Sequence, residues 1–306
     1  MNIREWTLPV YTILMQLATG AFLTLWVLRT ALIKKYSQET LDCISRYPLL
    51  IIFITLLAAM LGSHLHLSQP YQSFLAVLNF PSSWLSREIV FNLLYFFSVA
   101  ALLDMVWQRS KSERWKTALG WIAITLGLVT IYCMSRIYFL PVQVGWNTTF
   151  TIYSFFGSAL LLGVLSLILL LMLDLRFAEL RSAHEVGERE AIFSSSLKWF
   201  TMSVILITIA ILGLNFTHLS NLARGDEVAQ TSLELLLGLY QPLFVMRIIA
   251  IILGSLVLTL SFYLLNYKRK SVSGLLNPVY VACLLVLIGE ILGRFLFYAT
   301  HVRVGI

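Results

Sequence analysis

Charge is scarce in this chain of 306 residues: Asp, Glu, Lys and Arg make up 12% of it, against roughly 25% in soluble domains. That shortage excludes an ordinary cytosolic fold. Cysteine is scarcer still, with Cys43, Cys133 and Cys283 far apart and in no Cys-x-x-Cys or Cys/His grouping. Neither a zinc site nor a cysteine-ligated iron–sulfur cluster can be built from them within the chain, and they read as small hydrophobes. Long polar stretches are missing too, which leaves no room for a second, soluble domain. What is plentiful is apolar: 59% hydrophobic residues, with runs such as Leu49 to Leu61 and Phe156 to Met172, and a mean hydropathy of +0.84. The composition predicts an all-α, polytopic integral membrane helix bundle, a single transmembrane domain over residues 1–306.

A helix needs about 20 mainly apolar residues to cross the hydrocarbon layer, because every backbone group must be bonded internally there. Eight segments qualify: Leu8 to Ile33, Tyr47 to Leu67, Glu88 to Trp107, Thr117 to Leu140, Thr148 to Leu175, Leu197 to Thr217, Tyr240 to Asn266 and Asn277 to Thr300. The first is too long for a signal-peptide core and no small-residue cleavage site follows it, so it is expected to be retained.

The net charge of +7 does not call for nucleic acid, because its distribution follows topology. Four alternate connections carry Arg29, Lys34, Lys35 and Arg46; Arg109, Lys111, Arg114 and Lys116; Arg176, Arg181, Arg189 and Lys198; and Lys268, Arg269 and Lys270. The other side has only Arg4, Arg87, Arg224 and Arg303. By the positive-inside rule the basic loops are cytoplasmic and both termini lie outside.

Ionisable residues within membrane helices are expensive, about 2.5–3.5 kcal/mol each on insertion scales, and so raise a functional question. Here they are expected to converge on the outer half of the bundle. His64 and His66 end the second helix, Glu88 begins the third, Arg136 ends the fourth, Arg247 lies early in the seventh, and Glu290 and Arg294 lie in the outer half of the eighth. Glu290 and Arg294 are four apart, in the favourable order for an ion pair. No comparable polar group is expected deep in the cytoplasmic half. The outer connections, Ser68 to Arg87 and Pro141 to Asn147 with Trp146, supply aromatic walls suited to a flat molecule arriving from the bilayer.

Such a site suits a quinol, which needs an apolar slot, hydrogen bonds to two oxygens and a base with a route to water. Histidine titrates near neutrality, so His66 is the expected proton acceptor, with Glu88 as relay. Haem is the competing use of histidine. His64 and His66, however, point about 200° apart on a helix, and the inner half holds no histidine for a second haem. With no haem or iron–sulfur cluster expected in this chain, electrons must pass to a partner's cluster, docked most simply at the outer side.

These residues bring out a resemblance. The run His64-Leu65-His66-Leu67-Ser68-Gln69-Pro70, the stretch Leu85 to Ile89, Arg136-Ile137-Tyr138, Met246-Arg247, and Gly289 to Tyr298 with His301 and Val304-Gly305 behind it resemble the membrane anchor subunit of bacterial dimethyl sulfoxide reductase, within the wider polysulfide-reductase-like quinol subunits. The likeness implies a bacterial inner-membrane subunit that oxidises menaquinol and passes electrons to an iron–sulfur subunit, which feeds a molybdopterin catalytic subunit. The family's quinol-linked histidine falls on His66. Ser68 departs from the family's glycine, and His64 stands as an alternative or helper. In the full expected site, His66 and Glu88 are catalytic, and His64, His66, Arg136, Trp146, Arg247, Glu290 and Arg294 bind the quinol; no metal is expected.

Two other readings remain. A secondary transporter would show paired broken helices and a midplane site, and Gly and Pro mark no such pair here. A purely structural anchor would keep respiration after loss of His66 and Glu88.

Overall fold

The computed structural model describes residues 3–65, 75, 77–110, 112–181, 186–267, 272–300 and 302. Among them lie α1 (Ile3–Leu32), α2 (Gln38–Leu65), α3 (Trp84–Trp107), α4 (Glu113–Arg136), α5 (Thr149–Arg181), α6 (Val186–Ala223), α7 (Glu227–Leu237), α8 (Gln241–Tyr267) and α9 (Leu276–Ala299), and no strand. All except α7 are long and apolar enough to cross a membrane, so the expected eight spans are present.

Local chemistry sets where the helices begin. The Ser83 side chain accepts from the Ser86 N–H and starts α3, while Asp226 caps α7 by accepting from the Ala229 N–H at 2.9 Å. α8 and α9 place Pro242 and Pro278 in their first turns, where a missing N–H costs little. Two starts differ most from expectation: α2 begins at Gln38 rather than Tyr47, and α6 at Val186 rather than Leu197. Hydropathy reads only apolar runs. These helices extend past the apolar region as amphipathic turns, burying Leu41 and Ile44 of α2 against Ile192 of α6. With 38 residues, α6 is about 57 Å long at 1.5 Å per residue, well beyond the ~30 Å hydrocarbon layer. The short α7, which the apolar runs do not reveal, is too brief to cross.

α1 and α5 form the centre, with 67% of their apolar windows buried against 28% for α3. The peripheral helices turn large apolar side chains outward, among them Phe97, Leu206, Ile209, Leu260 and Leu284. Water would reject such a surface and lipid accepts it.

At the basic end the helices are clasped by buried charge. Arg29 of α1 donates to Asp42 of α2 at 2.8 Å and to Glu113 of α4 at 2.7 Å, and Lys116 of α4 donates to Asp42 at 2.6 Å. Arg29 is 1% exposed and Lys116 is fully buried. Both were expected in loops. Carboxylates brought in by the early turns of α2 and α4 compensate them instead. Buried polar groups thus occur at both ends of the bundle, those of the clasp lying in the terminal turns of their helices rather than deep in the span.

Candidate functional site

At the end away from the basic loops, two groups of polar side chains assemble on either side of an aromatic wall. The first is built by α1, α3 and the end of α4. Glu88 stands one turn into α3, 4% exposed, and its Oε1 accepts from the Tyr11 hydroxyl of α1. Asn92, one turn further along α3, is buried on the same face. Among the described residues no other protein group bonds to the Glu88 carboxyl. Arg136 ends α4 with its guanidinium 5.2 Å from the Trp84 ring centre and 4.2 Å from that of Phe139. It is held by ring faces and makes no ion pair with Glu88.

The wall follows. The Tyr138 hydroxyl meets that of Tyr298 at 2.5 Å, tying the end of α4 to α9. Trp146 stacks on Phe297, with centroids 5.2 Å apart and planes 11° apart, and its Nε1 donates to the Phe297 carbonyl at 2.7 Å.

Beyond the wall, side chains of α5 to α9 line a partly open cleft. Glu290, Gly293, Arg294 and Phe297 fall at helical spacing along one stripe of α9 that lines it. Asn215 and His218 of α6 face it three residues apart, with Arg247 of α8 opposite. Arg247 Nη1 donates to Asn215 Oδ1 at 3.2 Å, and the Ser158 hydroxyl of α5 donates to Glu290 Oε2. Glu290 Oε1 and Arg247 Nε are buried with no hydrogen-bond partner among the described residues. The His218 ring lies flat on Phe150, with centroids 3.9 Å apart.

The structure thus divides the expected site. Trp146, Arg247, Glu290 and Arg294 share the cleft, and neither Glu88 nor Arg136 lines it. The expected Glu290–Arg294 ion pair is not formed. Arg294 instead donates to Gln16 of α1 at 3.0 Å and lies 3.9 Å over Phe155, while Glu290 takes Ser158. Tertiary partners on α1 and α5 outcompete the local neighbour. His66 and His301 lie outside the described residues, as does the side chain of His64.

Sequence reasoning missed Tyr11, Gln16, Ser158, Asn215 and His218 as site residues. Polar residues inside strongly apolar helices were the available signal.

A protein-family model described as DMSO reductase anchor subunit (DmsC) matches residues 1–300. The sequence is 26% identical over 312 residues to the C subunit of anaerobic dimethyl sulfoxide reductase from Haemophilus influenzae (strain ATCC 51907 / DSM 11121 / KW20 / Rd), covering 100% of this protein and 98% of that one. It is 24% identical over 308 residues to the YnfH subunit of anaerobic dimethyl sulfoxide reductase from Escherichia coli (strain K12), and 25% identical over 313 residues to the C subunit from the same organism. Each of these two alignments covers 98% of this protein and 96% of the relative.

Proposed function

The chain belongs to the DMSO reductase anchor subunit family, and we propose that it oxidises menaquinol at the end of the bundle away from the basic loops. As a member of that family it is a multi-pass membrane anchor for the catalytic subunits of a molybdoenzyme reductase. In the proposed reaction menaquinol becomes menaquinone, releasing two electrons and two protons. The electrons pass to an iron–sulfur subunit and from it to a molybdopterin subunit. The protons leave on the periplasmic side of a bacterial cytoplasmic membrane.

The observation that carries this reading is the buried Glu88 carboxyl. The Tyr11 hydroxyl occupies Oε1 and orients the group, leaving Oε2 without a protein partner among the described residues. That oxygen is the one to accept a quinol proton. His66, which follows α2 in the sequence across the α2–α3 connection from Glu88, is the second acceptor in this proposal. The rings of Trp84 and Phe139 beside Arg136, with Tyr138 packed on Trp146, supply at this end of the bundle the flat apolar surface that a quinol ring needs.

In the assembled complex, Glu88→Gln and His66→Ala are each expected to lower reduction of the acceptor driven by a menaquinol analogue by about 10²–10⁴-fold, the usual scale of a lost general base. Reduction driven by a soluble viologen, which delivers electrons directly to the partner subunits, is expected to persist. Unchanged quinol kinetics in both variants would leave a purely structural anchor.

A further inference from the structure

The clasp at the basic end leaves one cation over. Asp42 places one oxygen on Arg29 and the other on Lys116, and Glu113 also goes to Arg29. Arg46 stands four residues after Asp42 on α2, the spacing and order at which a carboxylate would serve it, and that carboxylate is taken. Among the described residues Arg46 makes no ion pair, and its Nε is buried with no hydrogen-bond partner. Its contact is a ring: the guanidinium carbon lies 5.3 Å from the ring centre of Trp107 on α3, a residue 47% exposed. The carboxylates nearest in sequence on either helix are occupied elsewhere, Asp104 accepting from Gln108 at 2.7 Å and Glu39 pairing with Arg109.

Arg46 precedes the apolar run from Leu49 to Leu61, the level at which lipid phosphates meet a membrane protein. Below it Leu50, Phe53 and Leu57 follow at helical spacing on α2, none of them fully buried. Phe53 stacks on Phe96 of α3 with centroids 4.9 Å apart, so the α2–α3 seam begins at Arg46 and Trp107 and continues inward as apolar surface. From Arg46 to Leu57 the seam runs about 16 Å at 1.5 Å per residue, half of the ~30 Å hydrocarbon layer and the reach of one leaflet. Water can solvate the outer guanidinium nitrogens but brings no countercharge. A small free anion brings the charge and leaves the seam bare. A phosphodiester with acyl chains supplies both, its two unesterified oxygens matching the arginine fork. We propose that Arg46 and Trp107 hold the phosphodiester of an anionic phospholipid from the leaflet on the side of the basic loops, with an acyl chain along the α2–α3 seam.

The test is native mass spectrometry of the full-length chain in detergent, stripped of lipid and titrated with dioleoylphosphatidylglycerol or dioleoylphosphatidylcholine. The wild type is expected to bind one equivalent of the anionic lipid more tightly than any of the zwitterionic one. Arg46→Gln strands no carboxylate and is expected to weaken that equivalent by at least about tenfold, the scale of a lost hydrogen bond to a charged group. Arg46→Lys keeps the charge, gives up the fork and is expected to lose part of the affinity; it carries the test if the glutamine variant does not elute as a single species. Lys35→Gln removes an exposed charge from the α1–α2 connection and is expected to change little. Unchanged affinity in Arg46→Gln overturns the site, and an equal loss in Lys35→Gln reduces it to the diffuse attraction of the basic loops. Glycerophosphoglycerol, the same head group without acyl chains, is expected not to displace the lipid at equal concentration, and displacement would overturn the acyl contact along the seam.

Discussion

Asp42 holds two cations at once, one oxygen on Arg29 and the other on Lys116. With all three side chains within 3% of full burial, neither cation has water to fall back on. Breaking a buried pair from one side leaves an uncompensated charge, at about 3–5 kcal/mol. Asp42→Asn is accordingly expected to lower stability by that order, read as a fall in the unfolding temperature of the detergent-solubilised protein. Adding Lys116→Met removes the cation left stranded, since Arg29 keeps Glu113, and is expected to recover part of the loss. Equal unfolding temperatures for wild type and Asp42→Asn would mean that the clasp is not holding the helices. This arrangement was hard to read in advance, because Arg29 and Lys116 look like ordinary loop cations until Asp42 is known to sit in a helix. Glu88 was easier, since a carboxylate one turn inside an apolar run announces itself.

The central helices meet where side chains are absent. A Cβ added at Gly20 of α1 would lie 1.8 Å from the Ala159 carbonyl oxygen, and one at Gly163 of α5 would lie 2.1 Å from the Gly20 carbonyl carbon. In lipid there is little hydrophobic drive between helices, so association depends on close packing of this kind. One turn from the crossing, Gln16 on α1 receives Arg294 and Ser158 on α5 reaches Glu290. The same contact therefore sets the register of the cleft floor. Gly163→Val is expected to force α1 and α5 apart at more than the ~1–3 kcal/mol of ordinary overpacking, seen as a lower unfolding temperature. Gly213→Ala, where an added Cβ meets nothing within 4 Å, is the control and is expected to change it little. Helix boundaries were legible where apolar runs end and illegible at the amphipathic extensions of α2 and α6, because their fit depends on each other: Leu41 and Ile44 need Ile192.

Across the whole molecule, the charge asymmetry predicts an orientation. Lys34 lies in the α1–α2 connection and Gln230 on α7 at the opposite end, both exposed. With Cys43, Cys133 and Cys283 replaced by Ala, Gln230→Cys is expected to react with a membrane-impermeant maleimide in intact spheroplasts, and Lys34→Cys only after permeabilisation. The reverse pattern would invert the topology, and with it the side on which protons are released. The two-ended distribution of buried charge does not alter this expectation, because the clasp is neutralised within the protein and the loop excess is not.

Membrane residence and the number of crossings were determined by the sequence alone, because crossing is a local property: about 20 consecutive apolar residues suffice, whatever their neighbours. The family likeness was equally legible, carried by short stretches along most of the chain. Only the tertiary structure decided which polar groups share a space. That depends on the rotation and closeness of each helix, set by contacts such as Gly20 on Gly163. It separated Glu88 and Arg136 from the cleft, and it gave Arg294 to Gln16 rather than to Glu290 four residues away. Periodicity places a side chain on a face of its own helix; what that face meets is settled by the packing of the other seven spans.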